Sequence, residues 1–543
     1  MSTNIAETLV NAAALYGDRV GLIEAKTGKS LTFSQLQEYS DKLAAYLIDN
    51  GVKAGDRVIL MVSPSADFIC LTFSLFKIGA PVILIDPGMG YRNLLRCVAG
   101  IKPEVFIGIP KAHLFRRVFP QPFSTIRHTF CCGSSLGIFG PDIRKASRSV
   151  TRNYPIYKPG ADDLAAIIFT TGSTGPPKGV RYEHSIFAAQ LELIRDYYRI
   201  SPQDIDQPAF PLFALFSTAL GACSVIPEMN PAQPAKVDPE KFLRSIDRYS
   251  VTYSFGSPAI WNVVSRYCIE KRRNISSLRQ VLMAGAPVSG ELIERMQSIL
   301  PDGAKIHTPY GATESLPIVS MEGSEIVEST WKITRGGGGT CVGRSLPGIR
   351  IMIMEISDNV IQNLDNAHLL ACGEIGEIIV SGTVVTRAYE NNEKETRLSK
   401  IRDGERLWHR MGDTGYLDET GRLWFCGRRA HRVKTCQGVL FTIPCEAIIN
   451  EHPQVCRTAL VGIPDCMNPG FQMPVLIIEK MKNFKGKDSA LLDEIRGLAA
   501  GNSLTEGIRH FLFHHDFPVD IRHNAKIFRE KLSAWAEREL QRG

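Results

Sequence analysis

The sequence predicts an α/β protein. It has a large N-terminal domain of layered, mostly parallel sheets with helices plus a β-rich subdomain, then a small mobile α+β C-terminal domain. Three observations lead there. From Phe33 to Met283 short apolar runs alternate with helical stretches. Runs that are apolar throughout, rather than at every second residue, belong to parallel strands covered on both faces. Past Gly348 the units become shorter and richer in β-pattern, and 543 residues exceed what one core holds, so two or more domains are expected.

In chain order, Leu36, Leu43, Ala44 and Leu47 recur with helical spacing from Phe33, and Gly51 supplies a stop. Val58–Val62 reads as a strand, Ser65–Ile78 as a helix and Pro81–Ile85 as a strand, with a further helix after Asp86-Pro87-Gly88 and a strand at Val105–Ile107. The pattern then repeats, with a helix over Phe187–Tyr198 and strands at Val251–Phe255 and Arg279–Met283. Arg350–Ile356 and Gly376–Val380 begin the β-rich part, and the four glycines Gly336–Gly339 predict a mobile loop. The turn Gly427–His431 is the expected boundary between a domain of residues 1–429 and one of residues 430–543, which ends in a helix over Lys526–Leu540.

The net charge of +7 is unevenly spread: Ile101–Gly160 holds ten Lys and Arg against two acids, Glu104 and Asp142. Two readings stay open for this basic segment, a solvated surface or a docking face for an acidic pathway partner or an anionic membrane. No recognised motif accompanies the charge, so nucleic acid is not expected. The 13 cysteines form no CxxC pair; free thiols in a reducing cytoplasm explain them best. Lys77 interrupts the longest apolar stretch, Phe68–Ile85, so no transmembrane span is expected. The first seven residues lack the basic and apolar regions of a signal peptide.

The chemistry gathers at four stations. Leu164–Phe169, an apolar run, opens into Thr170-Thr171-Gly172-Ser173-Thr174-Gly175-Pro176-Pro177-Lys178-Gly179, where hydroxyls, glycine backbone and one lysine suit a polyphosphate. It is not a Walker A loop: prolines precede Lys178 where that motif needs a helix start, and Gly179 follows it where that motif needs a hydroxyl. The second station is Tyr310-Gly311-Ala312-Thr313-Glu314, whose carboxylate suits a hard cation. The third is Gly412-Asp413-Thr414-Gly415-Tyr416 followed by Arg428, and the last is Asn524-Ala525-Lys526-Ile527.

Read together, these strings resemble the adenylate-forming superfamily of acyl-CoA ligases, luciferases and peptide-synthetase adenylation domains, over nearly the whole chain. The resemblance implies ATP and Mg²⁺ as cofactors, with Thr170 to Gly175 and Lys178 at the phosphates. It places Gly285, Ala286, Pro287 and Tyr310 at adenine with Gly311 in the same segment, and Thr313 at the α-phosphate. Glu314 would carry the metal, Asp413 and Arg428 would meet the ribose, and Lys526 would act as the catalytic lysine that the small domain swings in. Asn-Ala-Lys departs there from the usual Ser-Gly-Lys, which makes Lys526 a weaker match than Lys178. The segment Phe210-Pro211-Leu212-Phe213 resembles the border of the acyl pocket; Phe213, Phe216, Leu220 and Trp261 are the expected lining.

A narrower resemblance concerns the product. Ala214 stands where many ligases have a histidine, and Gly427-Arg428-Arg429-Ala430-His431-Arg432-Val433 lacks the hinge residues common in CoA ligases. With Ile85–Gly90 and Thr442–Glu446, these strings resemble the β-lactone synthetases of olefin biosynthesis. That branch implies a 3-hydroxy fatty acid whose own hydroxyl closes on the activated carboxyl. The alternative is a fatty acid–CoA ligase, which would need CoA.

Overall fold

The computed structural model describes residues 4–150, 155–170, 176–210, 212–519 and 527–542. Two mostly parallel sheets dominate the first half. One has six strands, in which Leu164–Thr170 lies parallel to Val82–Leu84 while Lys178–Glu183 returns antiparallel at the edge. The other has seven, running from Lys305–His307 at one edge to the antiparallel pair Val20–Glu24 and Ser30–Thr32 at the other.

The helix Ala66–Ile78 lies in the core that joins the two sheets, and every residue of it except Asp67 is buried. A helix apolar on all sides satisfies its surface only by being enclosed. Ser65 caps it, accepting from the Phe68 N–H at 3.3 Å, and Gly79 ends it in the left-handed region. Lys77, the charge that breaks the apolar run, is itself buried. Its ammonium donates to Asp41 at 2.6 Å, Ser40 at 2.6 Å and Gln37 at 2.9 Å, which uses all three donors. Burial pulls its pKa down against the pull of Asp41.

An eight-stranded antiparallel sheet follows, with Tyr310–Ala312 at one end and the pair Arg406–Leu417 and Leu423–Arg428 near its middle. The last part carries a three-stranded sheet, Val455–Pro464, Gln472–Lys480 and His510–Phe513. It has apolar clusters of its own, one on each side of Ala459–Leu460, and the helix Arg529–Arg542 closes it.

Elements expected from sequence pattern recur with ends shifted by one to three residues, as at Phe33–Asp49 and Tyr253–Gly256. The expected mobile loop at Gly336–Gly339 is not one. Thr334–Gly338 continues the helical turns from Trp331 and packs against the helix Thr442–Asn450. Gly337 is buried with φ of 90°, and a Cβ there would lie 2.6 Å from Leu504 and 3.1 Å from Ile448. Gly337, Gly338 and Gly339 serve close approach rather than motion.

Candidate active site

The C-terminal edges of the two parallel sheets and the face of the antiparallel sheet enclose one cleft of about 1950 Å³. Its walls come from segments more than 500 residues apart in sequence, from Glu24 to Arg529.

At one end, strand register does the positioning. Asp413 and Arg428 sit directly opposite each other on antiparallel strands, so their side chains share a face. They form an ion pair at 2.9 Å, and the Tyr310 hydroxyl donates to Asp413 Oδ2 at 2.6 Å. The carboxylate holds the Arg428 pKa above its usual value, and burial followed by the Asp413 charge raises that of Tyr310 strongly. Gly285, Ala286 and Pro287 line the cleft beyond, Gly285 with φ of 96°.

Glu314 is anchored from behind. An isolated bridge pairs Ser315 with Val385, and Thr386 then donates its N–H and its hydroxyl to the Glu314 carbonyl at 2.9 and 3.0 Å. Tyr389 donates its hydroxyl to Glu314 Oε1 at 2.7 Å, and Tyr182 holds the Thr313 carbonyl at 2.5 Å. Thr313, Glu314 and Gly311 all line the cleft. Behind them Lys400, buried, donates to the Thr386 carbonyl. Desolvation drops its pKa to about 7, against the pull of Glu314 and Glu183. Burial and the neighbouring Lys400 push His409 well below its ordinary value.

The proline-containing loop joins two antiparallel strands, with Thr170 paired to Lys178. The chain thus leaves the loop as a strand, not a helix, which is the structural counterpart of the prolines that exclude a Walker A site. Lys178 forms an ion pair with Glu395 and lies 5.2 Å from the Tyr389 ring centre. Thr170 and Lys178 line the cleft, whereas Thr171 to Gly175 lie outside the described residues. Lys526 also lies outside them; Ile527, which follows it, lines the cleft.

The other end is aromatic. Phe213 stacks on Phe255 with centroids 3.8 Å apart, Phe216 lies 5.9 Å from Phe213, and all three line the cleft. Two expected lining residues are corrected here. Trp261 does not line the cleft: the helix Pro258–Glu270 turns it into the core, fully buried and edge-on to Phe242 at 5.7 Å. Nor does Leu220, which ends the helix Phe213–Ala219 and packs on the main core.

Sequence reading missed Tyr389, Glu395, Lys400 and Asp206. No local pattern marks the first three, which reach the site only through long-range pairing such as the Val180–Tyr389 bridge. Asp206 left a signal: an acid in the buried strand Ile205–Asp206 needs an explanation. It lines the aromatic end, accepts from Ser217, and is driven by burial to a pKa of about 8.

Three carboxylate, thiol or imidazole groups do not converge as a metal cage among the described residues. All thirteen cysteines are free thiols, and among the described residues no helix is long and apolar enough to cross a membrane.

The cleft thus lies between parallel sheets and an antiparallel sheet and holds a Thr/Lys hairpin and a Tyr–Asp–Arg cluster. Residues 9–390 match the AMP-binding enzyme family, and the chain belongs to it. It is 42% identical over 522 residues to the olefin β-lactone synthetase of Xanthomonas campestris pv. campestris, covering 94% of this chain and 91% of that protein. The olefin β-lactone synthetase of Stenotrophomonas maltophilia is likewise 42% identical, over 94% of this chain and 92% of its own. A probable CoA ligase of Humulus lupulus is 26% identical, over 91% and 86%. Among solved structures, the amide bond synthetase McbA of Marinactinospora thermotolerans superposes with a TM-score of 0.81 over 98% of this chain and 99% of its own, at 21% identity. ATP-bound MatB of Rhodopseudomonas palustris gives 0.80 over 98% and 99%, at 19% identity; both likenesses concern the fold.

Proposed function

We propose that this enzyme uses ATP to activate the carboxyl group of a 3-hydroxy fatty acid, then lets the substrate close on itself to a β-lactone. The observation that carries this reading is the 42% identity to two olefin β-lactone synthetases over more than nine tenths of each chain, against 26% to a CoA ligase. In the first step a carboxylate oxygen of the acid attacks the α-phosphorus of ATP and pyrophosphate leaves. In the second the 3-hydroxyl oxygen attacks the acyl carbon, the bond to AMP breaks, and the hydroxyl proton is released. An internal nucleophile has high effective concentration and needs no CoA.

Asp413 and Arg428 would take the ribose, the Tyr310 ring would lie along the base, and Thr313 would meet the α-phosphate. Lys178 would exchange Glu395 for the outer phosphates, with Thr170 to Gly175 closing over them. Glu314 would hold Mg²⁺, with phosphate oxygens and water supplying most of its ligands. That fits a site in which carboxylates do not cluster. Bound there, the ion would neutralise charge building on the phosphates. Phe213, Phe216 and Phe255 would take the alkyl chain. Residues 430–543 would act as a mobile lid that brings Lys526 to the α-phosphate. The separate apolar clusters of that part support this, as does the position of Ile527 at the cleft. Thirteen free thiols support a cytoplasmic setting.

The test incubates purified enzyme with ATP, Mg²⁺ and a 3-hydroxy fatty acid, with and without CoA. Lactone formed without CoA is the expected result; acyl-CoA only, or no pyrophosphate, overturns the reading. Lys526→Ala should abolish nearly all pyrophosphate release while ATP still binds, and equal loss of both would remove Lys526 from its assigned role.

A further inference from the structure

From Pro87 to Ala161 the chain holds only two acids, and both are used within the fold. Glu104 accepts from the Arg57 N–H at 2.8 Å, and Asp142 holds Arg144 at 2.7 Å. Among the described residues, the ion pairs of this stretch involve Arg127 and Arg144. Lys111 and Arg117 stay exposed without one.

These cations sit beside exposed apolar side chains. On the helix Pro110–Val118, Lys111, Leu114 and Val118 follow the three- and four-residue spacing of one face, with Leu114 57% and Val118 62% exposed. The loop after the strand His128–Cys131 presents Leu136 at 94% and Ile138 at 61%. Arg117 ties loop to helix: its guanidinium lies 4.6 Å from the Phe139 ring centre and donates to the Ile138 carbonyl at 3.2 Å. Tyr91, 54% exposed, stacks on Phe119 at 6.0 Å, next to exposed Arg92 and Arg96. Helix, loop and the start of the helix Tyr91–Ile101 thus form one surface.

We infer that this surface docks the enzyme on an anionic lipid bilayer, with Leu114, Val118, Leu136 and Ile138 dipping into the interface while Lys111 and Arg117 meet lipid phosphates. Apolar tips inside a ring of cations are the pattern of interfacial binding. The side chains project from a loop tip and a helix ridge, a shape that a fluid bilayer accommodates and a preformed protein groove matches less readily. Ile109, which caps that helix, and Ala112 within it line the cleft, so the surface adjoins the cleft wall. The preference for lipid over an acidic protein rests in part on the fatty substrate proposed above; the binding itself does not.

The full chain is sedimented with phosphatidylcholine vesicles, with and without phosphatidylglycerol, at low and high salt. We expect about tenfold more enzyme to pellet with the anionic vesicles at low salt, and most of that gain to vanish at high salt. Leu136→Ser/Ile138→Ser and Lys111→Glu/Arg117→Glu should each lower pelleting severalfold while leaving turnover of a short, soluble 3-hydroxy acid unchanged. No pelleting of the wild-type enzyme, or pelleting by both variants equal to that of wild type, overturns the inference. Retention on immobilised poly-glutamate without vesicle binding would assign an acidic macromolecule instead and overturn it too. Vesicle binding without lactone formation would fault the proposed reaction alone, and lactone formation without vesicle binding would fault this surface alone.

Discussion

At the end of the cleft built by Tyr310, Glu314, Asp413 and Arg428, polar side chains hold one another in place. Asp413 has Arg428 at 2.9 Å and Tyr310 at 2.6 Å, and Glu314 has Tyr389 at 2.7 Å. At the end built by Phe213, Phe216 and Phe255, rings pack on rings, and the carboxyl of Asp206 is buried beside them against the hydroxyls of Ser217 and Tyr253. One end is organised to receive charge, the other to exclude it. Charge is recognised by preset partners, because a lone ion in a protein wall costs too much desolvation. A chain of methylenes is recognised by area and shape alone.

The contrast breaks most readily at Asp413. Replacing it with alanine leaves Arg428 without its counter-ion and Tyr310 without its acceptor. We expect kcat/KM for ATP, measured by pyrophosphate release, to fall on the order of 10²- to 10³-fold. Asp413→Asn, which keeps the shape and loses the charge, should fall between. An alanine variant within about threefold of wild type would mean that this cluster serves the fold and not the nucleotide.

Phe213→Ala sharpens the contrast from the other side. It removes one face of the stack with Phe255, so KM for the acid should rise about tenfold while KM for ATP holds. Trp261→Ala is the control. Its ring lies in the core, so its removal should cost about 3–5 kcal/mol of stability with little change in the KM of the folded fraction. If Phe213→Ala raised both KM values equally, the two ends would not be separate sites.

The same contrast explains how much was legible in the sequence. The polar end could be read because its groups come in short strings: Tyr310 to Glu314 carries several functional residues together, and Gly412 to Tyr416 frames Asp413. The large fold could be read because buried parallel strands are apolar throughout. The aromatic end could not, since a phenylalanine or tryptophan facing a cavity looks the same in sequence as one facing a core. Trp261 and Leu220 went wrong for that reason. The glycines at 336–339 went wrong differently: φ above zero serves a tight approach as well as a hinge, and only the neighbours Leu504 and Ile448 tell which. Tyr389 could not be found locally, being placed by its bridge to the distant Val180, and Lys400 reaches the site by donating to the Thr386 carbonyl, next to the bridge from Val385 to the distant Ser315.

The smallest expected effects lie in stability against pH, where each end hides one buried ionisable group with an opposite slope. Burial raises Asp206 from 3.8 to about 8, so between those values the folded state binds a proton that the unfolded chain has lost. Its contribution is fullest below the lower value and is lost as pH rises through the upper one. Burial lowers Lys400 from 10.5 to about 7, so between those values the unfolded chain binds the extra proton, and stability rises with pH. Asp206→Asn should therefore flatten a decline on the acid side of neutrality, and Lys400→Met a rise on the basic side. Each should be visible as a change of about 2–4 °C in the Tm difference from wild type across its window. Thermal unfolding of both variants over a pH series measures this. Curves that run parallel to wild type would show that the buried group keeps its ordinary pKa. For Asp206 that would put water or a counter-charge into the aromatic end and erase the contrast between the two.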